Sequence, residues 1–290
     1  MPIVGWSDQR HKSNYSTFQS LQALGYQSLG FTVWVLAYLL VIIAALILVL
    51  ALPGWTIDQN VNAVLAPRMI ALFIVVFGFF AIYSLLPIIA AIACALGKDF
   101  RYPIIGTRLA NYLEYDATQG SDEKKWLNED HEFRWVAAMG HFSILILIWG
   151  MLAPLTTWIL YGKRSFFLKF QSIQTLVYQA GTTILYFVAL FMYLFGFLLL
   201  LLGAGIGGEP NFTSPGGMLG IVGFGLSLLI SFVLILIVPL LHILGQWAGY
   251  RVLKGYDYRY PLIGKLIERR IVNKSPLAED GGLSLKGKSS

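Results

Sequence analysis

Phe18-Gln19-Ser20-Leu21-Gln22-Ala23-Leu24-Gly25-Tyr26-Gln27 returns later in the chain as Phe170-Gln171-Ser172-Ile173-Gln174-Thr175-Leu176-Val177-Tyr178-Gln179, with seven of ten positions identical. A second motif repeats as well. Phe100-Arg101-Tyr102-Pro103-Ile104-Ile105-Gly106 comes back as Tyr258-Arg259-Tyr260-Pro261-Leu262-Ile263-Gly264. Phe18 lies 83 residues before Arg101, and Phe170 lies 89 before Arg259. Two motifs in one order at nearly one spacing mark an internal duplication. Repeated elements meet the same surroundings, so the duplication constrains how the chain crosses a membrane.

The membrane follows from what lies between the motifs. Of 290 residues 57% are hydrophobic and 12% charged, and the mean hydropathy is +0.68, outside the range of ordinary soluble domains. Residues 31–52, 69–96, 182–206 and 218–250 contain no Asp, Glu, Lys or Arg. Each block is long enough to cross about 30 Å of hydrocarbon at about 1.5 Å per residue. A fifth block, residues 136–161, is interrupted by Gly140, Gly150 and Pro154. The polar start, with Arg10 and Lys12, does not read as a cleaved signal peptide. Cys94 is the one cysteine and sits in an apolar block, which leaves no disulfide or cysteine metal site within one chain. The net charge of +6 reads as the basic bias of cytoplasmic loops, not as a nucleic-acid surface.

Basic residues accumulate on the cytoplasmic side of a membrane. If residues 136–161 enter and leave on one face, turning between Gly150 and Pro154, all 21 basic residues except Arg68 become cytoplasmic and the two copies run parallel. A full crossing would put the 161–181 loop and the C-terminal tail outside with twelve of them. The expected fold is therefore an all-α polytopic membrane protein: a duplicated helical bundle with four full spans, a re-entrant hairpin and interfacial amphipathic helices. Residues 1–15 form an N-terminal cytoplasmic arm and 16–110 a truncated repeat of an interfacial helix and two spans. Residues 111–131 are a charged linker, 132–270 a full repeat that adds the hairpin, and 271–290 a disordered tail. Both termini are expected in the cytoplasm, with the chain in the cell membrane.

The second copy resembles the Tic-twenty-like family of small bacterial membrane domains, related to a subunit of the chloroplast inner-envelope import translocon. The resemblance lies in Ala138-Met139-Gly140-His141, Pro154-Leu155-Thr156-Thr157-Trp158-Ile159-Leu160, Gly162-Lys163-Arg164, the stretch from Phe170 to Gln179, and Tyr258-Arg259-Tyr260-Pro261. It covers residues 132–270 and, without the opening hairpin, residues 16–110. It implies a membrane bundle and, through the translocon relative, an accessory role in protein transport. Ile173 and Val177 depart from the basic residue and the Asn usual at those positions.

Several residues carry candidate chemistry. Gln19, Gln22 and Tyr26 share one helical face, and Gln171, Gln174 and Tyr178 repeat it. That face can dock lipid headgroups, a partner or the other copy's carbonyls, or it can simply glue helices together. Arg101, Tyr102, Arg259 and Tyr260 belong at a membrane boundary, as anchors or as lipid-phosphate ligands helped by Lys98 and Lys254. His141 and His242 are ionisable groups expected in the membrane interior, with Gln246 one turn from His242 and able to satisfy it. Glu129-Asp130-His131-Glu132 has poor spacing for a metal and reads as a solvated acidic patch near Arg134. The three Asn-x-Ser/Thr sequons, at Asn14, Asn211 and Asn273, matter only in a eukaryotic secretory setting. No phosphate loop, nucleophile elbow, His-Glu-x-x-His or Cys-x-x-Cys occurs, so neither cofactor, metal nor enzymatic activity is expected.

Three functions compete. A non-enzymatic scaffold or accessory subunit, of the kind that assists protein translocation or insertion, would bind another membrane protein or itself within the lipid bilayer. A channel or transporter for a small neutral solute would use the Gly- and Gln-bearing helices, with Pro87 and Pro239 as hinges. An enzyme acting on lipid would need an acid–base pair that the spans lack. The scaffold is the reading the residues favour.

Overall fold

The computed structural model describes residues 2–50, 61–117, 126–205 and 211–272, and the regular structure among them is helical throughout. The chain divides into two compact units, Met1–Leu145 and Ile146–Ser290. The tail beyond residue 272, the charged run from Asp122 to Lys125, the sequon at Asn273 and residues 206–210 of the loop between the last two long helices lie outside the described residues.

The first unit contains α1 (Pro2–Gln9), α2 (Asn14–Gly25), α3 (Phe31–Leu50), α4 (Val61–Ala95), α5 (Ile105–Leu113) and α6 (Glu129–Phe142). Ser13 caps α2 by accepting the Ser16 N–H at 3.2 Å. A π-helical turn, Tyr26–Gly30, then joins α2 to α3 without a break. A 3-10 segment, Ser143–Met151, leads into α7 (Leu152–Tyr161), α8 (Phe166–Ala204), α9 (Pro215–Leu253) and α10 (Ile263–Val272). Ser165 and Ser214 cap α8 and α9, and Pro215 occupies the first turn of α9, where its missing N–H loses nothing.

Three stretches are apolar and long enough to cross a bilayer: Phe73–Ala95, Phe166–Ala204 and Pro215–Leu253. The protein is a helical membrane protein. The helices expected to lie at the interface are not separate pieces. The Gln171–Tyr178 face belongs to the same 39-residue helix as the span that follows it. At about 1.5 Å per residue that helix is close to 60 Å long, more than a bilayer with its headgroups needs. The motif occupies the N-terminal part of that long helix.

Helices α8 and α9 approach closely along small residues. A Cβ on Gly220 would stand 2.9 Å from the Leu199 carbonyl oxygen, and one on Gly196 would stand 2.5 Å from the Ser227 Cβ. Ser231 donates across the same seam to the Ala189 carbonyl at 2.8 Å. Small residues that admit backbone contact are the usual means of joining helices in lipid, where apolar burial gives no net drive.

The block at residues 136–161 is not one continuous helix, because α6 ends at Phe142 and the 3-10 segment separates it from α7. At the start of the chain, Ile3 and Trp6 of α1 are buried. The acidic patch is likewise not fully solvated, since Glu132 is 3% exposed. Its Oε2 accepts from Trp6 Nε1 at 2.8 Å and from Arg10 Nε at 2.9 Å. Arg10 also reaches Glu129 at 2.8 Å, and its guanidinium lies 4.4 Å from the Phe133 ring centre. Burial pushes the Glu132 carboxyl above its ordinary range, while the Trp6 and Arg10 donors pull the other way.

Breaking a buried ion pair by removing one partner costs about 3–5 kcal/mol. Arg10 retains Glu129, so Glu132→Ala is expected to destabilise the first unit by the lower part of that range. Thermal unfolding in mild detergent reads the effect, and a midpoint equal to wild type would show that α1 docks without this pair.

Candidate functional site

The two repeated motifs meet in space, within each copy. Helix α4 ends at Ala95 in a reversal where Gly97 takes φ +72° and the Lys98 N–H bonds the Ala93 carbonyl at 3.0 Å. Helix α9 ends the same way, with Gly255 at φ +91° and Tyr256 N–H bonded to the Arg251 carbonyl at 3.1 Å. This is the six-to-one bond of a left-handed helix stop, which glycine enters without a Cβ clash. The chain then runs back beside the motif helix, α2 or α8.

A backbone running back this way needs partners for its N–H and C=O groups. One glutamine supplies both. Gln22 donates from Nε2 to the Phe100 carbonyl at 3.0 Å and accepts the Tyr102 N–H on Oε1 at 3.1 Å. Gln174 does the same in the second copy, to the Tyr258 carbonyl at 2.8 Å and from the Tyr260 N–H at 3.3 Å. A side-chain amide carries the donor and acceptor of a peptide group, so it can pair with a chain as a neighbouring strand would. Gln19 and Gln171 extend the clasp to Asp99 Oδ1 (3.0 Å) and Asp257 Oδ1 (2.8 Å). Both central glutamines are fully buried.

The tyrosines close the clasp from below. Tyr102 stacks on Tyr26 at 4.4 Å between ring centres, and Tyr260 stacks on Tyr178 at 3.9 Å. The Tyr26 hydroxyl donates to the Tyr83 carbonyl and the Tyr178 hydroxyl to the Leu241 carbonyl, each at 2.8 Å. Pro87 explains the first of these. It lacks the N–H that would have bonded the Tyr83 carbonyl four residues earlier, and the phenol stands in. The helix runs on through Pro87, and α9 runs on through Pro239, so neither proline breaks its helix. Burial pushes the Tyr26 and Tyr102 phenols up to about 12 and the Tyr260 phenol well above its usual range.

Past the stacked tyrosine each copy makes a tight turn. Ile105 N–H bonds the Pro103 carbonyl at 2.7 Å and Ile263 N–H the Pro261 carbonyl at 2.8 Å. The central residues, Ile104 and Leu262, have φ +67° and +66°. These are γ-turns of the rare positive-φ form, and such strain in a non-glycine residue costs on the order of 1–3 kcal/mol. Helices α5 and α10 begin at once. A Cβ on Gly106 or Gly264 would stand 2.8 or 2.9 Å from the Cβ of Arg101 or Arg259, so glycine is required there for space.

Of the candidate residues from the sequence, the Gln and Tyr face meets the carbonyls of its own copy. Arg101 pairs with Asp99 at 3.2 Å, and Arg259 with Glu268 at 2.8 Å. Lys254 lies 5.8 Å from the Tyr250 ring centre. His141 is fully buried in the last turn of α6. His242 is half-buried beside Tyr186, and its Nε2 finds no hydrogen-bond partner among the described residues, Gln246 included. Asp99, Asp257, Gly97 and Gly255 went unnoticed although each recurs just outside the motif as it was first bounded. The second unit also holds a cavity of about 780 Å³ between the 3-10 segment, α8 and α9, walled by groups such as Ile146, Trp149, Tyr186, Phe187 and Phe232.

Clasp and apolar helices together define a membrane protein made of one helical module used twice. The chain belongs to the MamF/MmsF family, the magnetosome magnetite crystal formation protein family, whose profile matches residues 1–109 and 132–267. That match overturns the Tic-twenty-like resemblance, which rested on short motifs in the second copy. Each matched segment contains one Gln-Tyr helix and one Arg-Tyr-Pro return. No curated protein and no solved structure matches the chain.

Removing a clasp amide leaves the Tyr102 or Tyr260 N–H unpaired, at about 1–3 kcal/mol, while the Phe100 or Tyr258 carbonyl keeps the Gln19 or Gln171 donor at 3.1 or 3.3 Å. Gln22→Ala and Gln174→Ala are expected to release the returning chain and speed limited trypsin cleavage after Arg101 and Arg259 respectively. Cleavage at the wild-type rate would show that the amides are dispensable. The raised phenols give a second expectation. Between pH 10 and about 12 the folded state holds protons on Tyr26 and Tyr102 that the unfolded chain releases, so stability falls as pH rises through that window. Thermal midpoints followed across it should drop more in wild type than in a Tyr26→Phe, Tyr102→Phe variant.

Proposed function

We propose that this chain is a non-catalytic scaffold of the magnetosome membrane that supports magnetite crystal formation, the process its family is described by. The observation that carries this reading is the closed pairing of the module. In both copies the candidate polar side chains bond their own backbone, which makes two stiff pieces suited to holding a membrane element or a partner in place. The polar glutamines that motivated a solute channel are engaged in the clasp, and the cavity is walled mainly by aliphatic and aromatic groups, unsuited to a polar solute. The translocation reading leaned on the Tic-twenty-like resemblance and falls with it.

The topology is part of the proposal. Four helices cross, with α3 joining the three long apolar stretches, and the 3-10 segment with α7 re-enters from the face it left. Both termini and the 161–165 turn then lie in the cytoplasm with nearly all the cations. The partner is a second membrane protein or another copy.

Two measurements test this. Reporters after Tyr161 and after Arg270 should both read as cytoplasmic, and a lumenal or periplasmic signal at either would overturn the parallel arrangement. Deleting the gene in a magnetite-forming host should change crystal size or number by electron microscopy, and a Gln22→Ala, Gln174→Ala gene should fail to restore it at equal protein level. Crystals unchanged by deletion would remove the scaffold role.

A further inference from the structure

We propose that the two γ-turn apices, Ile104 and Leu262, are membrane-dipping tips that seat both copies in a leaflet carrying anionic phospholipid. This needs only that the chain is embedded in a bilayer, and it stands or falls separately from the scaffold role.

The apices are the least covered part of each module. Ile104 is 73% exposed and Leu262 81% exposed. Both hold a positive φ that glycine would adopt with less strain, yet both copies place a large aliphatic side chain there. Packing among the described residues does not account for that choice, because they leave both side chains largely uncovered. A strained backbone that presents an apolar group twice, at the same point of a repeated module, needs an apolar surrounding.

The bilayer supplies one because of where the return leads. The chain does not continue away from the end of α4. It doubles back until Tyr102 packs with Ala90 and Tyr26, beside Tyr83 and Leu86, well inside the apolar stretch Phe73–Ala95. On that part of α4, Leu85, Ile88 and Ile89 are themselves more than half exposed, as lipid-facing residues are. In the second copy the Tyr178 hydroxyl reaches Leu241, and the neighbouring Leu240 and Ile243 are each 66% exposed. Each tip thus follows directly on a tyrosine anchored at the depth where its own span shows apolar groups.

Charge fixes the kind of leaflet. Exposed Arg108 follows Ile104 by one helical turn, and no acidic residue stands between Ile104 and Leu113. After Leu262 come exposed Lys265, Leu266, Arg269 and Arg270, while the one acidic residue of α10, Glu268, is paired to Arg259. Cations within a turn or two of an inserted aliphatic side chain match phosphate headgroups above acyl chains.

The test uses the full chain in vesicles, with Cys94→Ser removing the one native thiol and a nitroxide at Ile104→Cys, Leu262→Cys or, as a reference, the exposed Lys12→Cys. Labels at both tips should collide with oxygen several-fold more than with a water-soluble nickel chelate, and the Lys12 label should show the reverse. Adding phosphatidylglycerol to phosphatidylcholine vesicles should move both tip labels deeper. The proposal is overturned if either tip is as open to nickel as Lys12, is shielded from both reagents as a protein contact would be, or does not respond to the anionic lipid. A double variant, Ile104→Gly with Leu262→Gly, guards against a folding artefact, since glycine adopts the turn without a Cβ clash. Its thermal midpoint should hold or rise in detergent, and its extra stabilisation by phosphatidylglycerol should shrink. A lower midpoint in detergent would mean that the two side chains serve the fold.

Discussion

A chain that leaves a helix and runs back along its neighbours exposes peptide groups with nothing opposite them, and in a low-dielectric setting each unpaired group is costly. Gln22 and Gln174 remove that cost with a single side chain apiece, donating to one carbonyl and accepting from one N–H. The stacked tyrosines, the γ-turn and the helix after it all follow from holding the return at that point. Without the amide, Tyr102 and Tyr260 would have no fixed backbone from which to reach Tyr26 and Tyr178.

The two copies keep this clasp and vary its supports. In the first, a proline frees the carbonyl that takes the tyrosine hydroxyl. In the second, Gly245 stands at the matching position, and the Leu241 carbonyl accepts the phenol on a second lone pair. Arg101 closes back on Asp99 at 3.2 Å, whereas Arg259 stands 3.9 Å from the matching Asp257 and bonds Glu268 on α10 at 2.8 Å. The geometry of the return is thus more strictly kept than the ion pairs around it, as expected when backbone satisfaction matters more than half-exposed charges.

Much of this was legible before any coordinates. The repeated Gln and Tyr positions and the repeated Arg-Tyr-Pro are the clasp, and the charge-free blocks include the helices that can cross. What failed was the assignment of partners. Periodicity places Gln22 on a face but is silent on what that face meets 80 residues later, at Tyr102. The contact of Trp6 and Arg10 with Glu132 was not legible, because that partner is more than 120 residues away and read as part of a solvated patch. Asp99 and Gly97 were a different kind of miss. Extending the repeat by three residues on its N-terminal side would have revealed both, and a glycine kept just past an apolar block is a helix stop. The family assignment failed because short motifs, read from one copy, fit more than one group of membrane domains.

The π turn at Tyr26–Gly30 makes the two copies less alike than their clasps suggest. Such a turn takes up one residue more than an α-helical turn, and one residue is about 100° of rotation about the axis. Helix α8 has no such turn and carries its phase straight through. Counted residue for residue from the clasp, a position just past Gly30 is therefore turned about its helix axis relative to the position at the same distance along α8, so the same clasp presents a different face of its span. Exchanging the copies would keep each module intact while turning its lateral contacts away from their mates.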